Sequence, residues 1–336
     1  MSDPLLSVRH LRTHIPTPRG VVRAVEDVSF DLHRGRTLGL VGESGSGKSM
    51  LVRSLIGITP GRAERSGEIW LDGQDLLTLS RAQLRGYLGR RVAMVFQDPM
   101  TSLNPVVRID RQLTEGPVRH LGMDRRRARE AALELLRQVG IPEPEHRMRQ
   151  YPHQLSGGMR QRVMIAIALA CEPEVLIADE ATTALDVTVQ KQILDLLSRL
   201  QRERNMAMIM VSHDLGVVAG RTDEVAVMYG GRLVEKAATT DLFDAPRHRY
   251  TRALLEAIPR MDHPRDTPLR TIEGAPPDLA RHHTGCPFAP RCEARIDRCV
   301  TTDPPLVEED GGHAHACLVP VGGPQPSNSV DEEVRT

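Results

Sequence analysis

Residues 37–49 read Thr37-Leu38-Gly39-Leu40-Val41-Gly42-Glu43-Ser44-Gly45-Ser46-Gly47-Lys48-Ser49, and the fold turns on this stretch. The first five residues are a short apolar run, the pattern of a buried strand. The next eight match G-x-x-x-x-G-K-S/T, and an apolar helical pattern follows from Met50 to Ile56. A flexible Gly/Ser turn is the competing reading, but the strand before and the helix after are the context the motif needs. Gly42, Glu43, Ser44, Gly45, Ser46 and Gly47 would turn backbone N–H groups inward around phosphate oxygens. The helix start adds its positive end. Lys48 would bridge β- and γ-phosphates, and Ser49 would bind Mg2+. Of the 44 Lys and Arg residues only Lys48, Lys191 and Lys236 are lysine, so a chain that otherwise takes Arg has kept a Lys at this position.

Working outward, Val175-Leu176-Ile177-Ala178-Asp179-Glu180 is an apolar strand ending in two carboxylates. Alone it could be a helix cap. Beside a phosphate loop, Asp179 would hold Mg2+ through water and Glu180 would polarise an attacking water. Further short apolar runs at 92–96, 207–211 and 225–229 are separated by helical patterns. Together they predict a parallel α/β core covered on both faces. Residues 65–75 read as a turn-rich hairpin outside that core. Residues 98–164 read as a mainly helical insert, with Leu133, Leu135, Leu136 and Val139 as one apolar stripe and Gly140 as a C-cap. Residues 187–204 form a second amphipathic helix, with Ile193, Leu194, Leu197 and Leu200 on one side.

Composition narrows the function. The 336 residues are enough for about two domains. The formal net charge is zero and aromatic residues are 3%, which argues against a nucleic-acid partner. No apolar run reaches the ~18 residues of a membrane span. The start, MSDPLLSVRH, has neither the basic nor the apolar region of a signal peptide, so a soluble cytoplasmic protein is expected.

A third motif is Leu155-Ser156-Gly157-Gly158-Met159-Arg160-Gln161-Arg162, ahead of an apolar helix from Val163 to Ala170. A Ser and two Gly at a helix start make a second anion site. One chain has no need of two such sites for one triphosphate, whereas two chains set head to tail do. This stretch resembles the signature motif of ABC ATPases, and the resemblance extends over nearly the whole chain. It implies a P-loop ABC ATPase: a RecA-like α/β core, an antiparallel β subdomain, a helical subdomain and a C-terminal Cys-containing extension. Gln154, Ser156, Gly157 and Gly158 would then clamp the ATP held by a partner. Gln97, in Val95-Phe96-Gln97-Asp98-Pro99, matches the glutamine that contacts Mg2+ and the lytic water, in a loop that also touches the membrane subunit. His213, in Val211-Ser212-His213-Asp214, matches the γ-phosphate sensor. Asp186, in Ala184-Leu185-Asp186, matches the D-loop that crosses to the partner. Mg2+ would be held through Ser49, Gln97 and Asp179.

More narrowly, QDPMTSLNP (97–105), YPHQLSGGMRQRVMIAIALA (151–170), ADEATTALDVTVQ (178–190) and RHRYTRALLEAIP (247–259) resemble the ATPase subunits of dipeptide/oligopeptide ABC importers. The implied partners are a paralogous ATPase, two membrane permease subunits and an extracytoplasmic peptide-binding protein. The implied place is the cytoplasmic face of the inner membrane, as a peripheral subunit. The same motor for nickel chelates, or a soluble ABC ATPase outside transport, are the alternatives. Two positions depart from the family. Ala181 stands where Pro is usual, with the backbone path expected to survive. Ile15 stands where an aromatic ring usually stacks on adenine, which predicts weak selectivity for ATP over GTP.

The expected division is an ATPase domain over 1–245, with its helical subdomain at about 98–164, an extension over 246–322 and a disordered tail over 323–336. Cys171 lies in an apolar region and reads as a packed core thiol. The extension carries Cys286-x5-Cys292-x6-Cys299-x17-Cys317, without the CxxC pairs of common zinc ribbons. Four thiolates could hold zinc or an iron–sulfur cluster, with His282, His283, His313 and His315 nearby, or could be free thiols. The family resemblance favours a 4Fe–4S cluster.

Overall fold

The computed structural model describes residues 3–98, 102–181, 186–258, 271–281, 283–309 and 311–323. Pro99, the Ala184-Leu185 half of the D-loop, His282 and all but the first residue of the expected tail lie outside the described residues.

The five apolar runs form the middle of one sheet. It comprises β3 (Thr37–Val41), β6 (Val92–Val95), β7 (Val175–Asp179), β8 (Ala207–Ser212) and β9 (Glu224–Tyr229). Their order is β9-β3-β8-β7-β6, and all four pairings are parallel. Alternate residues of each strand enter different cores. On β8, Met208 and Met210 pack on one side, and Ala207, Ile209 and Val211 on the other. Both faces are covered, so the strands are continuous apolar runs rather than alternating ones.

The first face meets a helical layer of α2 (Ile109–His120), α3 (Arg125–Gln138) and α4 (Gly157–Leu169). On α3 the buried stripe runs through Ala128, Ala132, Leu135 and Leu136 on to Val139. Leu133, expected in the stripe, is only partly buried, because at 3.6 residues per turn it falls at the stripe's edge. Gly140 has φ +75°, the left-handed C-cap expected of it. The other face meets α1 (Lys48–Leu55) and the antiparallel sheet β2-β1-β4-β5, built from β1 (Leu6–Thr17), β2 (Gly20–Leu32), β4 (Glu64–Leu71) and β5 (Gln74–Asp75). The hairpin expected over 65–75 is present, closed by Asp72-Gly73 with φ +49° and +80°. The amphipathic helix α5 (Val187–Arg204) buries Ile193, Leu194, Leu197 and Leu200.

Beyond residue 230 the sheet continues in antiparallel fashion. A two-residue turn at Gly230-Gly231 returns the chain as β10 (Arg232–Ala238), paired with β9. The extension then adds β12 (Ala314–His315) and β11 (Val307–Glu308) to the same edge. Its helix α6 (Arg249–Glu256) sends the fully buried Tyr250 into the main core, and Phe288 follows. A small core of Ala289, Cys299 and Val319, with Cys286, Ala294 and Ile296 against it, belongs to the extension alone. The composition change near residue 245 therefore marks a continuation of the central sheet.

Candidate nucleotide site

The carboxyl ends of four neighbouring parallel strands deliver the candidate residues to one place. The phosphate loop follows β3, Gln97 follows β6, Asp179 and Glu180 end β7, and His213 follows β8. In open α/β sheets this edge is where ligands bind.

The loop is shaped by close backbone approach. A Cβ on Gly42 would lie 2.2 Å from the Met228 carbonyl oxygen, and one on Gly47 2.3 Å from that of Ala24. Both glycines have positive φ, +151° and +104°. Lys48 is buried, and its Nζ donates to the carbonyl oxygens of Gly42 (2.7 Å) and Glu43 (2.9 Å) and to Ser46 Oγ (3.4 Å). Burial pulls the Lys48 ammonium down from its ordinary pKa, while Glu180, Asp179 and Glu43 act to keep its charge. Ser49 Oγ donates to Asp179 Oδ1 at 3.0 Å. Asp179 is 1% exposed, and burial pushes its carboxyl up, opposed first by the Ser49 hydrogen bond. A hydroxyl and a carboxylate side by side in a buried niche are hard oxygen donors that suit Mg2+.

Glu180 is the hub of the other half. Gln97 Nε2 donates to its Oε2 at 2.9 Å, and His213 Nδ1 lies 3.6 Å from its Oε1. Its backbone is left-handed, φ +45°, a conformation that costs a non-glycine residue energy and is held here by its surroundings. One brace is Gln161, a buried residue of α4 whose Nε2 donates to the Ala181 carbonyl oxygen at 2.6 Å. Ala181 is itself buried. A cavity of about 160 Å3 lies beside Glu180 and His213, lined also by Ser212 and Gln190.

The remaining candidates stand apart. Ser156 caps α4, accepting the Met159 N–H at 3.3 Å, and both Ser156 and Gly157 are exposed, with Gly158 half-buried. Gln154 Oε1 accepts the Tyr151 N–H at 2.9 Å. Asp186 caps α5 by accepting the Val189 N–H. No described hydrogen bond joins this group to the phosphate loop. Ile15 is half-buried on β1 and paired with Val22, away from the loop in bonding.

The structure adds residues that sequence reasoning missed. Arg291, from the extension, forks onto the Glu43 carboxylate with Nη1–Oε2 2.6 Å and Nη2–Oε1 2.9 Å. Tyr250 accepts the Glu43 N–H on its hydroxyl at 2.8 Å. Contacts across some 200 residues of chain leave no local periodicity to find them by.

Around the cysteines, the Cys286 N–H donates to the Cys299 carbonyl at 2.8 Å. Burial pushes the Cys286 thiol up to about 12, with Cys317, Cys299 and Cys292 adding to the shift. The Cys286, Cys292 and Cys317 sulfurs accept backbone N–H groups from Phe288, Ala294 and Val319, each two residues on. Among the described residues no three His, Cys, Asp or Glu side chains form a group that would hold a metal ion, so the expected iron–sulfur site has no support in the placement of its ligands. Cys171 is buried, as expected.

An ABC transporter family model matches residues 25–183, and a model for the oligopeptide/dipeptide transporter C-terminal region matches residues 234–299. The chain is 48% identical over 320 residues to the oligopeptide transport ATP-binding protein OppD of Escherichia coli (strain K12), covering 95% of this chain and 94% of that one. It is 46% identical over 317 residues to the dipeptide transport ATP-binding protein DppD of Bacillus subtilis (strain 168), covering 94% of each. A dimeric ABC transporter cassette bound to ADP and phosphate in a post-hydrolysis state superposes with a TM-score of 0.62 at 25% identity, covering 70% of this chain and 98% of that one.

Proposed function

Because the chain belongs to the family of ABC transporter ATPases that carry the oligopeptide/dipeptide transporter C-terminal region, we propose that it is the ATP-hydrolysing motor of a di- or oligopeptide importer. The observation that carries the reading is the Gln97–Glu180–His213 cluster beside the Ser49–Asp179 pair, at the mouth of a phosphate loop. Glu180 accepts the Gln97 hydrogen bond on a carboxylate with His213 close by, so it can orient a water for in-line attack. Lys48 and the loop N–H groups hold the β- and γ-phosphates, and His213 senses the γ-phosphate. Catalysis is then positioning and charge stabilisation. Mg2+, when bound by Ser49, Asp179 and Gln97, neutralises phosphate charge.

The exposed Ser156, Gly157 and Gly158, with Gln154, clamp the nucleotide of a second, paralogous ATPase, and Asp186 crosses to it. Closure of the pair drives two membrane permeases fed by an extracytoplasmic peptide-binding protein, with this subunit peripheral on the cytoplasmic face. An open groove of about 970 Å3 between α2, α3 and Tyr151 supports the permease contact, with the exposed Val106 at its rim. The ATPase domain is taken as 1–245 with its helical subdomain at about 98–164, and the extension as 246–322.

The cysteine extension is read as a 4Fe–4S carrier, with zinc as the alternative. Its support is the chemistry of the donors: the extension carries four thiols, two of them, Cys286 and Cys299, in its own small core, and Cys286, Cys292 and Cys317 accept N–H bonds that work against the rise burial imposes on their thiols. The thiols would have to draw together around the group. Anaerobic purification without bound iron and sulfide would end this part of the reading.

The main test is uptake of labelled peptides by cells carrying wild-type protein or Glu180→Gln. The variant is expected to bind ATP, stay closed and abolish uptake, with hydrolysis lowered at least a hundredfold. Wild-type hydrolysis in the variant would remove Glu180 from its role. Unchanged peptide uptake with the variant in the membrane fraction would move the cargo to another class.

A further inference from the structure

Arg291 is 5% exposed in its side chain, one residue before Cys292 in the extension. All five of its N–H groups are used. Nε donates to the Glu273 carbonyl oxygen (2.8 Å), and Nη1 to Glu43 Oε2 (2.6 Å) and Tyr229 Oη (3.1 Å). Nη2 donates to Glu43 Oε1 (2.9 Å) and the Ile272 carbonyl oxygen (3.0 Å). A planar guanidinium saturated in this way has one available position. The residue it holds is the second of the phosphate loop, directly after Gly42 and five before Lys48. The same residue is held a second time, because its main-chain N–H donates to Tyr250, which is fully buried between Tyr229 and Phe288. The Glu43 carbonyl oxygen in turn accepts from Lys48 Nζ. A continuous chain of hydrogen bonds therefore runs from the extension, through Glu43, to the lysine that receives the phosphates.

We propose that Arg291 and Tyr250 are positioning residues for ATP, holding the phosphate loop open in its binding shape through Glu43, and that the cysteine-bearing extension is thereby part of the nucleotide site. This rests on ATP being the ligand of that loop. A loop already fixed in the bound conformation spares the ligand the cost of ordering it. The alternative is that the pair only fastens the extension to the sheet. The two differ in what they predict for binding. If the contact positions the loop, nucleotide and extension are thermodynamically coupled, and each must stabilise the other.

The experiment is MgATP binding to the full chain by calorimetry, with hydrogen exchange of residues 286–300 measured with and without MgATP. Arg291→Gln and Glu43→Gln are each expected to weaken binding about tenfold, and the double variant to be no weaker than either single one. Arg291→Lys should not restore affinity, because a single ammonium cannot make the fork. Should Arg291→Gln fail to fold, Tyr250→Phe decides: it removes only the acceptor for the Glu43 N–H and is expected to weaken binding a few-fold. In the wild type, MgATP should slow exchange over 286–300, and in Glu43→Gln this protection should be lost. Folded variants that bind within twofold of wild type, single effects that multiply in the double variant, or exchange indifferent to MgATP would overturn the proposal. A wild-type chain that does not bind MgATP would instead overturn the reading of the loop itself.

Discussion

Two helices of this chain begin at glycines and offer their N-termini to an anion, yet they are built in opposite ways. At α1 the loop before the helix is held at several points. Lys48 is buried against three acceptors, Ser49 is bound to Asp179, and Glu43 is bound through both its N–H and its carboxylate. At α4 the cap is a single Ser156 bond to Met159, and Ser156 and Gly157 face solvent. The first is a finished site. On the function proposed above, the second is half of one, a surface whose partner lies on another chain. The difference teaches where to look for binding and where for turnover: α1 should govern whether ATP is held, and α4 whether it is cleaved.

The sharpest way to break that contrast is Ser156→Arg. A bulky cation at the exposed cap would block the face offered to the second subunit while leaving α1 untouched. Hydrolysis in the assembled pair is expected to fall at least a hundredfold, with MgATP affinity of the isolated chain within twofold of wild type. Measuring both on one preparation is the check. If affinity fell in step with turnover, α4 would belong to the chain's own site, and the head-to-tail reading would fail.

The finished side has a support that can be titrated. His248 is buried at the cap of α6, with Nδ1 accepting the Tyr250 N–H at 3.0 Å and its main-chain N–H donating to Glu235 Oε2 at 2.8 Å. His313 Nε2 also contacts Glu235, and His315 lies near enough to oppose a second positive charge on His248. Burial, with the smaller effect of His315, pulls His248 down to about 3. The unfolded chain takes up this proton near pH 6.5, the folded chain only near 3. Between those values the unfolded state binds more protons, so stability falls as pH drops across that window and is fully present above it. Thermal unfolding followed from pH 7 to 4 should therefore show a steeper loss in wild type than in His248→Asn, whose amide oxygen can still accept the Tyr250 N–H. Equal slopes would show that other groups carry the acid sensitivity.

How much of this could be read from sequence follows from distance along the chain. Asp179 and Glu180 were legible because they close an apolar strand beside a phosphate loop, whereas Gln97 and His213 came only from the family resemblance; all four meet because a parallel sheet brings strand ends together whatever the intervening loops do. Ser156 was legible because capping is local. Gln161 bracing Ala181 and Arg291 holding Glu43 were not, because a buried side chain reaching a distant carbonyl or carboxylate leaves no periodic trace. The way the extension joins the core was hidden in the same way. Its proline-rich composition signalled a new region, yet β12 pairs with β10 and Tyr250 fills the main core, and strand pairing of two residues has no pattern to display. Leu133 was over-read because the stripe of α3 is centred on two alanines, poor in hydrophobic signal, and Leu133 falls at its edge.

The smallest expected effect lies at the base end of the site. Against a phosphate loop bonded through Glu43, Lys48 and Ser49, β1 offers a half-buried aliphatic residue, Ile15, at the position where the family resemblance leads to the expectation of a ring. An aliphatic side chain can cover a purine but gains none of the face-to-face attraction of an aromatic one, a difference of about 0.5–1.5 kcal/mol. It also reads no exocyclic group, so ATP and GTP should be bound and hydrolysed at nearly equal rates by the wild-type chain. Ile15→Phe is then expected to tighten both nucleotides by a few-fold, equally, because stacking is indifferent to the groups on the ring edge. Competition between the two nucleotides in wild type and variant measures this directly. A strong wild-type preference for ATP would mean that polar residues near β1 read the base, with His14, Arg23 and His283 around a neighbouring cavity of about 130 Å3 the first to substitute. Equal turnover would leave selectivity to the cell's ATP supply and recognition to the phosphates, which is where this structure has placed its bonds.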